Sequence, residues 1–269
     1  MEDKLEPKIY KSKQEKIKGN ILYFHGGGLL FGSKYDLPKY HIDELTEAGY
    51  NILAFNYPLA PESKFSSIIT YVLNSINSYT KNLNEPYFLW GRSAGAYVCL
   101  LAASKELNVK PNGIISYYGY GLLVPNWHST PSAHYLKYPL VEKKLVEDLI
   151  ENDVIFSAPV NPRFLIYLYT RQTGNWLEVI WDKSEEDFLK EYSLKDTDFT
   201  NYPPVLLAHN TRDNDVPYEE SVELSKRIKS SELLTFTTEE HDFDRNTENP
   251  NTIKLIHETI RFLDQHIED

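Results

Sequence analysis

The pentapeptide Gly91-Arg92-Ser93-Ala94-Gly95 lies between an apolar run and a stretch with helical spacing. A serine set this way can be pushed out of a tight strand-to-helix turn. Glycines around it remove the Cβ atoms that would hold strand and helix apart. Free amides at the start of the helix then favour negative charge nearby. A hydroxyl is a poor nucleophile near neutral pH. It needs an imidazole to take its proton, and a carboxylate to fix the ring tautomer and stabilise the imidazolium. Two later loops offer both groups: Asp213 follows the apolar run 204–209, and His241 follows the run 233–237. Asp215 is the alternative acid. Asp213 is preferred because it stands closer to the strand end, which leaves Asp215 as a surface charge near the next helix. His209 is a second candidate at a strand end, read as packing or hydrogen-bonding under the acid loop.

An earlier run ends in His25-Gly26-Gly27-Gly28. Its glycines can turn backbone N–H groups toward a cavity. The amides of Gly26 and Gly27, with that of Ala94, form a candidate oxyanion hole for a tetrahedral intermediate. His25 belongs to the turn and is read as a structural hydrogen-bonder. His41, His257 and His266 fall on predicted helices and are read as surface residues, and a surface role is also preferred for His128 and His134. Cys99, inside the helix after Ser93, is read as a small core residue. Tyr117 and Tyr118 at a strand end, with Trp127, are the candidate substrate-binding residues. This chemistry requires neither a cofactor nor a metal.

These side chains need a frame. Short apolar runs at 21–24, 51–55, 86–90, 113–118, 204–209 and 233–237 are closed by Gly, Pro or polar turns and fit strands buried on both faces. A further short strand fits 7–12. Stretches with apolar spacing near 3.6 lie at 39–48, 65–81, 94–107, 217–229 and 252–267. Strand alternating with helix predicts a mostly parallel sheet with helices on both faces, and such sheets bind ligands at the carboxyl ends of their strands. The rhythm breaks at 122–202, which holds helical pieces at 141–151 and 184–192 and three of the four tryptophans, Trp127, Trp176 and Trp181. An insert this long reads as a cap or lid. The expected division is a core of 1–121 and 203–269 with a cap at 122–202.

The net charge of −11 argues against nucleic acid, where Lys and Arg must neutralise phosphates, and weakly against an anionic membrane surface. One cysteine cannot form an internal disulfide. No apolar leader is visible and no window approaches a membrane span. The expectation is a cytoplasmic protein.

Together the residues resemble the hormone-sensitive-lipase-like branch of the α/β-hydrolases, a group of carboxylesterases. The likeness rests on His25-Gly26-Gly27-Gly28 followed by Phe31-Gly32-Ser33, on Asn56-Tyr57-Pro58-Leu59-Ala60-Pro61-Glu62, and on the 91–95 turn. It rests also on Thr211-x-Asp213-x-x-Val216-Pro217 and on His241-x-Phe243. It implies the α/β-hydrolase fold, here with a helical cap inserted after the sixth family strand and a truncated N-terminus. It implies a serine carboxylesterase acting on short-chain acyl esters of a small molecule through an acyl-enzyme, with a homodimer left open. The family's usual Asp-Tyr-Arg is Asn56-Tyr57-Pro58 here, so an ionic support of the oxyanion loop is missing. Amide or formamide hydrolysis is the alternative reaction. A non-catalytic small-molecule receptor is the alternative class, and the complete Ser93, Asp213 and His241 set speaks against it.

Overall fold

The computed structural model describes residues 6–124 and 126–267. Seven strands form one sheet among these residues, in the order β1-β3-β2-β4-β5-β6-β7. They are β1 (Lys8–Tyr10), β2 (Gly19–Phe24), β3 (Tyr50–Phe55), β4 (Tyr87–Arg92), β5 (Gly113–Tyr117), β6 (Val205–Asn210) and β7 (Ser231–Phe236). Only β1 runs antiparallel, against the outer side of β3. Strands β2, β4, β5 and β6 are buried along their whole length, which explains their unbroken apolar composition.

Alternation along the strands sorts the core into two layers. Leu22, Phe24 and Leu89 face helices α2 (Phe65–Thr80), α3 (Ala94–Ala103) and α8 (Tyr218–Arg227). Ile21, Tyr23 and Trp90 face α1 (Lys39–Glu47) and α9 (Pro250–Gln265). Every residue of α3 from Ala94 to Ala102 is buried, so this helix is apolar all round rather than amphipathic. The chain leaves β2 for β3 on one side and then crosses back to β4 on the other. That reversal opens a crevice at the carboxyl ends of β2 and β4, where a ligand site is expected in such a sheet.

Between β5 and β6 stand α4 (Lys143–Asp148), α5 (Val160–Thr173), α6 (Trp176–Ile180) and α7 (Glu185–Tyr192). Helix α5 has no counterpart in the sequence reading. Pro162 and the near-continuous apolar run from Phe164 to Tyr169 hide its period. A buried ion pair ties α5 to the core. Arg163 donates from Nη1 and Nη2 to the Glu62 carboxylate at 2.6 and 2.8 Å, and from its Nε and Nη2 to the carbonyls of Leu30 and Ala60. Their side chains are 5% and 1% exposed. Removing the cation strands a buried carboxylate and three carbonyls, that of Leu149 among them. Arg163→Met is therefore expected to lower unfolding free energy by roughly 3–5 kcal/mol, read as a fall in the urea midpoint. An unchanged midpoint would show that water reaches Glu62.

Candidate active site

Strand β4 ends directly beneath Ser93, which takes φ 52° and ψ −120° and donates its amide to the Tyr117 carbonyl at 2.9 Å. The turn tolerates no Cβ at either glycine. At Gly91 one would overlap the backbone of Gly95 and Ala96, and at Gly95 the carbonyls of Phe24 and His25. Helix α3 thus lies directly on the end of β2, and the serine side chain is thrown toward the crevice.

The structure brings the three triad candidates together. His241 Nε2 lies 2.9 Å from Ser93 Oγ, and its Nδ1 lies 2.6 Å from Asp213 Oδ2. Asp213 Oδ1 accepts the amides of Asp215 and Val216 at 2.8 and 3.0 Å. His209, buried under this loop, places Nε2 3.1 Å from Asp213 Oδ2 while its Nδ1 meets Ser221 Oγ at 2.8 Å. Burial by itself would raise the Asp213 pKa. The His241 charge and the hydrogen bonds from His209 and His241 outweigh it and hold the carboxyl well below its ordinary range. Burial would likewise lower His241. The Asp213 carboxylate and its hydrogen bond, with the charges of Asp215 and Asp242, push it up to about 9 instead.

Gly26, Gly27 and Gly28 line the same cleft as Ser93. Ala94 opens α3, so its amide has no acceptor within the helix. Gly27 at φ 98° and Gly28 at φ 61° occupy the left-handed region, and a Cβ at Gly28 would overlap the Tyr167 ring. The Tyr57 hydroxyl donates to the His25 carbonyl at 2.7 Å, and its ring stacks on His25 at 4.3 Å. Asn56 Oδ1 accepts the Lys34 amide at 2.7 Å. Neutral hydrogen bonds therefore brace the segment from His25 to Lys34. Trp176 Nε1 pins the loop from α6 by donating to the Gly28 carbonyl at 3.0 Å.

The cleft has two kinds of wall. Phe31, Tyr135, Phe164 and Tyr167 form an aromatic wall with centroid separations of 5.8–6.4 Å. Asp36, Arg92, Asp242 and Arg245 form a charged one. Arg92 is buried. Its Nη2 donates to Asp244 Oδ1 at 2.9 Å and its Nε to the Tyr118 hydroxyl at 2.8 Å, and Tyr118 donates in turn to Asp244 at 2.7 Å.

Several sequence expectations need correction. Tyr117 does not line the cleft: its side chain lies in the core layer with α9, its hydroxyl 2.6 Å from Thr259 Oγ1. Tyr118 follows the end of β5 with φ 40° and meets the site, its ring 4.7 Å from that of His241. Trp127 packs beside Ser93 with Tyr120, Tyr167, Arg171 and Trp176 in a gap too small for a water molecule, while its Nε1 donates to Glu220 at 3.1 Å. Asp215 is a buried residue, not a surface charge. His41 and His128 are buried as well; His41 stacks on Trp90 and meets Asp244 Oδ2 at 2.9 Å, and His128 meets Glu185. Sequence reasoning missed Tyr135, Phe164, Tyr167 and Arg171. Only the spacing 164, 167, 171 on a helix could have pointed to the last three.

A family model described as alpha/beta hydrolase fold matches residues 21–244. No curated protein matches the chain. Among solved structures, a protein of unknown function from Staphylococcus aureus subsp. aureus Mu50 is 32% identical with a TM-score of 0.86, covering 97% of this chain and 94% of that one. An alpha/beta hydrolase superfamily protein from Enterococcus faecalis is 27% identical with a TM-score of 0.85, covering 96% and 94%. An esterase from Rhizomucor miehei, 19% identical with a TM-score of 0.66 and covering 97% and 83%, shares the fold. Sheet order, crossover and family match agree, and the chain belongs to the alpha/beta hydrolase fold family.

Proposed function

We propose that the protein is a serine esterase that hydrolyses short-chain acyl esters of a small molecule. The observation that carries this reading is the continuous contact from Ser93 Oγ through the His241 ring to Asp213, opening on a cleft lined by Gly26 and Gly27. The S. aureus and E. faecalis proteins do not specify a substrate. Esterases among the structural relatives support ester chemistry by analogy of fold.

In this reading Ser93 Oγ attacks the ester carbonyl carbon as His241 Nε2 takes the hydroxyl proton. Asp213 keeps the Nδ1 proton in place and stabilises the imidazolium. The carbonyl electron pair moves onto oxygen, which the amides of Gly26, Gly27 and Ala94 receive, each donor typically contributing about 10²–10³ in rate. Collapse expels the alcohol, protonated by His241, and leaves Ser93 acylated. Water, deprotonated by the same imidazole, attacks the acyl carbon and releases the acid. The segment 122–202 acts as a cap, closing one side of the cleft with Tyr135, Phe164 and Tyr167. Tyr120, Trp127, Tyr167 and Trp176 pack closely beside Ser93, which leaves little depth for a long acyl chain.

Fluorophosphonate labelling is expected in the parent chain and absent in Ser93→Ala, with turnover of nitrophenyl esters falling from acetyl to octanoyl. Labelling that survives in Ser93→Ala would remove the nucleophile. Best turnover on octanoyl would remove the short-acyl assignment.

A protonated His241 cannot accept the serine proton, so activity requires the neutral ring. With the imidazole pushed up to about 9, the labelling rate is expected to rise with pH through a midpoint well above the ordinary histidine value of about 6.5. Asp242→Asn, which removes one of the charges responsible, should move that midpoint down. A midpoint near the ordinary value in the parent would refute this electrostatic account.

A further inference from the structure

A second carboxylate of the acid loop reaches His241, at the ring nitrogen opposite the one that Asp213 holds. Asp215 Oδ2 stands 4.0 Å from Nε2, the nitrogen that faces Ser93, whereas Asp213 holds Nδ1. It therefore cannot fix the tautomer as Asp213 does. Its residue is 7% exposed and lines the cleft. Helix α5 holds it firmly. The Tyr167 hydroxyl lies 2.6 and 2.7 Å from the two carboxylate oxygens, Arg171 Nε donates to Oδ1 at 3.1 Å, and Arg171 Nη2 donates to the Asp215 carbonyl at 2.9 Å. Arg171 is fixed in turn by the Trp127 carbonyl at 2.7 Å and by the Trp127 ring, 5.1 Å away.

We propose that Asp215 is a positioning residue for His241, a carboxylate held by Tyr167 and Arg171 to stabilise the imidazolium from its Nε2 side. This rests on the reading that Ser93 is the nucleophile. Mid-reaction, Nε2 carries the serine proton and the ring carries a full positive charge. Asp213 faces that charge at one nitrogen, and Asp215 faces it at the other from within the buried site, where fixed charges are weakly screened. Other groups also face the ring. Asp242 lies on its own loop, Tyr118 packs against it after β5, Ser93 meets it after β4, and His209 reaches it through Asp213. Arg92 and Asp244 connect to it through Tyr118. Of the carboxylates beside the ring, Asp215 is the one that α5 supplies with partners. The segment between β5 and β6 thereby becomes part of the catalytic electrostatics as well as a wall.

The test is the pH profile of fluorophosphonate labelling for the parent, Asp215→Asn and Asp215→Glu. Asparagine keeps the shape and loses the charge, so the midpoint should fall by about one unit, with the plateau rate down about tenfold. Glutamate keeps the charge and should stay near the parent midpoint. A midpoint unmoved in Asp215→Asn overturns the proposal, whether or not the rate falls, since a merely structural carboxylate would alter rate alone. If Asp215→Asn does not fold, Tyr167→Phe serves. It removes the hydroxyl that shields both oxygens, and the midpoint should rise; an unmoved midpoint overturns the proposal. A parent chain that never labels would instead defeat the Ser93 reading, and is told apart because it needs no variant.

Discussion

Between Gly91 and Gly95 the chain turns from a buried strand into a buried helix with no room for a Cβ at either glycine, and the rest of the site is placed relative to that turn. The close approach puts α3 against the carbonyls that end β2. Those carbonyls precede the glycine loop of residues 26–28, so the candidate nucleophile and the candidate oxyanion donors share one piece of backbone scaffolding. The positive φ of Ser93 is a strained conformation, sustained by the Tyr117 carbonyl and by packing on every side. A rigid turn of this sort fixes the direction of a hydroxyl better than any side-chain contact could, since a serine has few contacts of its own.

A buried charged network then sets the histidine loop against the turn. Arg92 precedes Ser93, and Asp244 lies three residues beyond His241. Their side chains are 2% and 0% exposed and 2.9 Å apart. Desolvating two charges is costly, and the pair is tolerable because Tyr118 and His41 add further contacts to Asp244. Burial would raise the Asp244 pKa, and the Arg92 charge with the His41 and Tyr118 contacts holds it well below the ordinary range instead. Arg92, within the serine turn, therefore couples two loops that are otherwise separated by most of the chain.

The segment between β5 and β6 is bound into the core by three buried acids. Glu62 takes Arg163, Asp215 takes Tyr167 and Arg171, and Glu220 accepts the amides of Gly121, Leu122 and Val124. Each joins a group in this segment to a carboxylate on the core side. Such pairs are weak evidence for added stability but specify one arrangement, because any other leaves a buried charge unpaired. The aromatic wall of the cleft is held in register by these contacts.

The strands, the helices of the core and the order Ser93, Asp213, His241 were legible in the amino-acid sequence because each is written in a local pattern: runs buried on both faces, a period near 3.6, and a glycine-flanked serine between strand and helix. The preference for Asp213 over Asp215 came from distance to the strand end, and the structure places Asp213 on Nδ1 of His241. Local pattern could not show that Asp215 is buried beside the same imidazole, since its partners Tyr167 and Arg171 lie more than forty residues away. It could not tell Tyr117 from Tyr118 either, because both pack in the same layer and only the turn of the chain after β5 brings Tyr118 against His241. Nor could it show which charges of an acidic chain sit inside, as His41, Arg92 and Asp244 do, because burial of a charge is decided by a partner from another element, and only the folded chain brings that partner within reach.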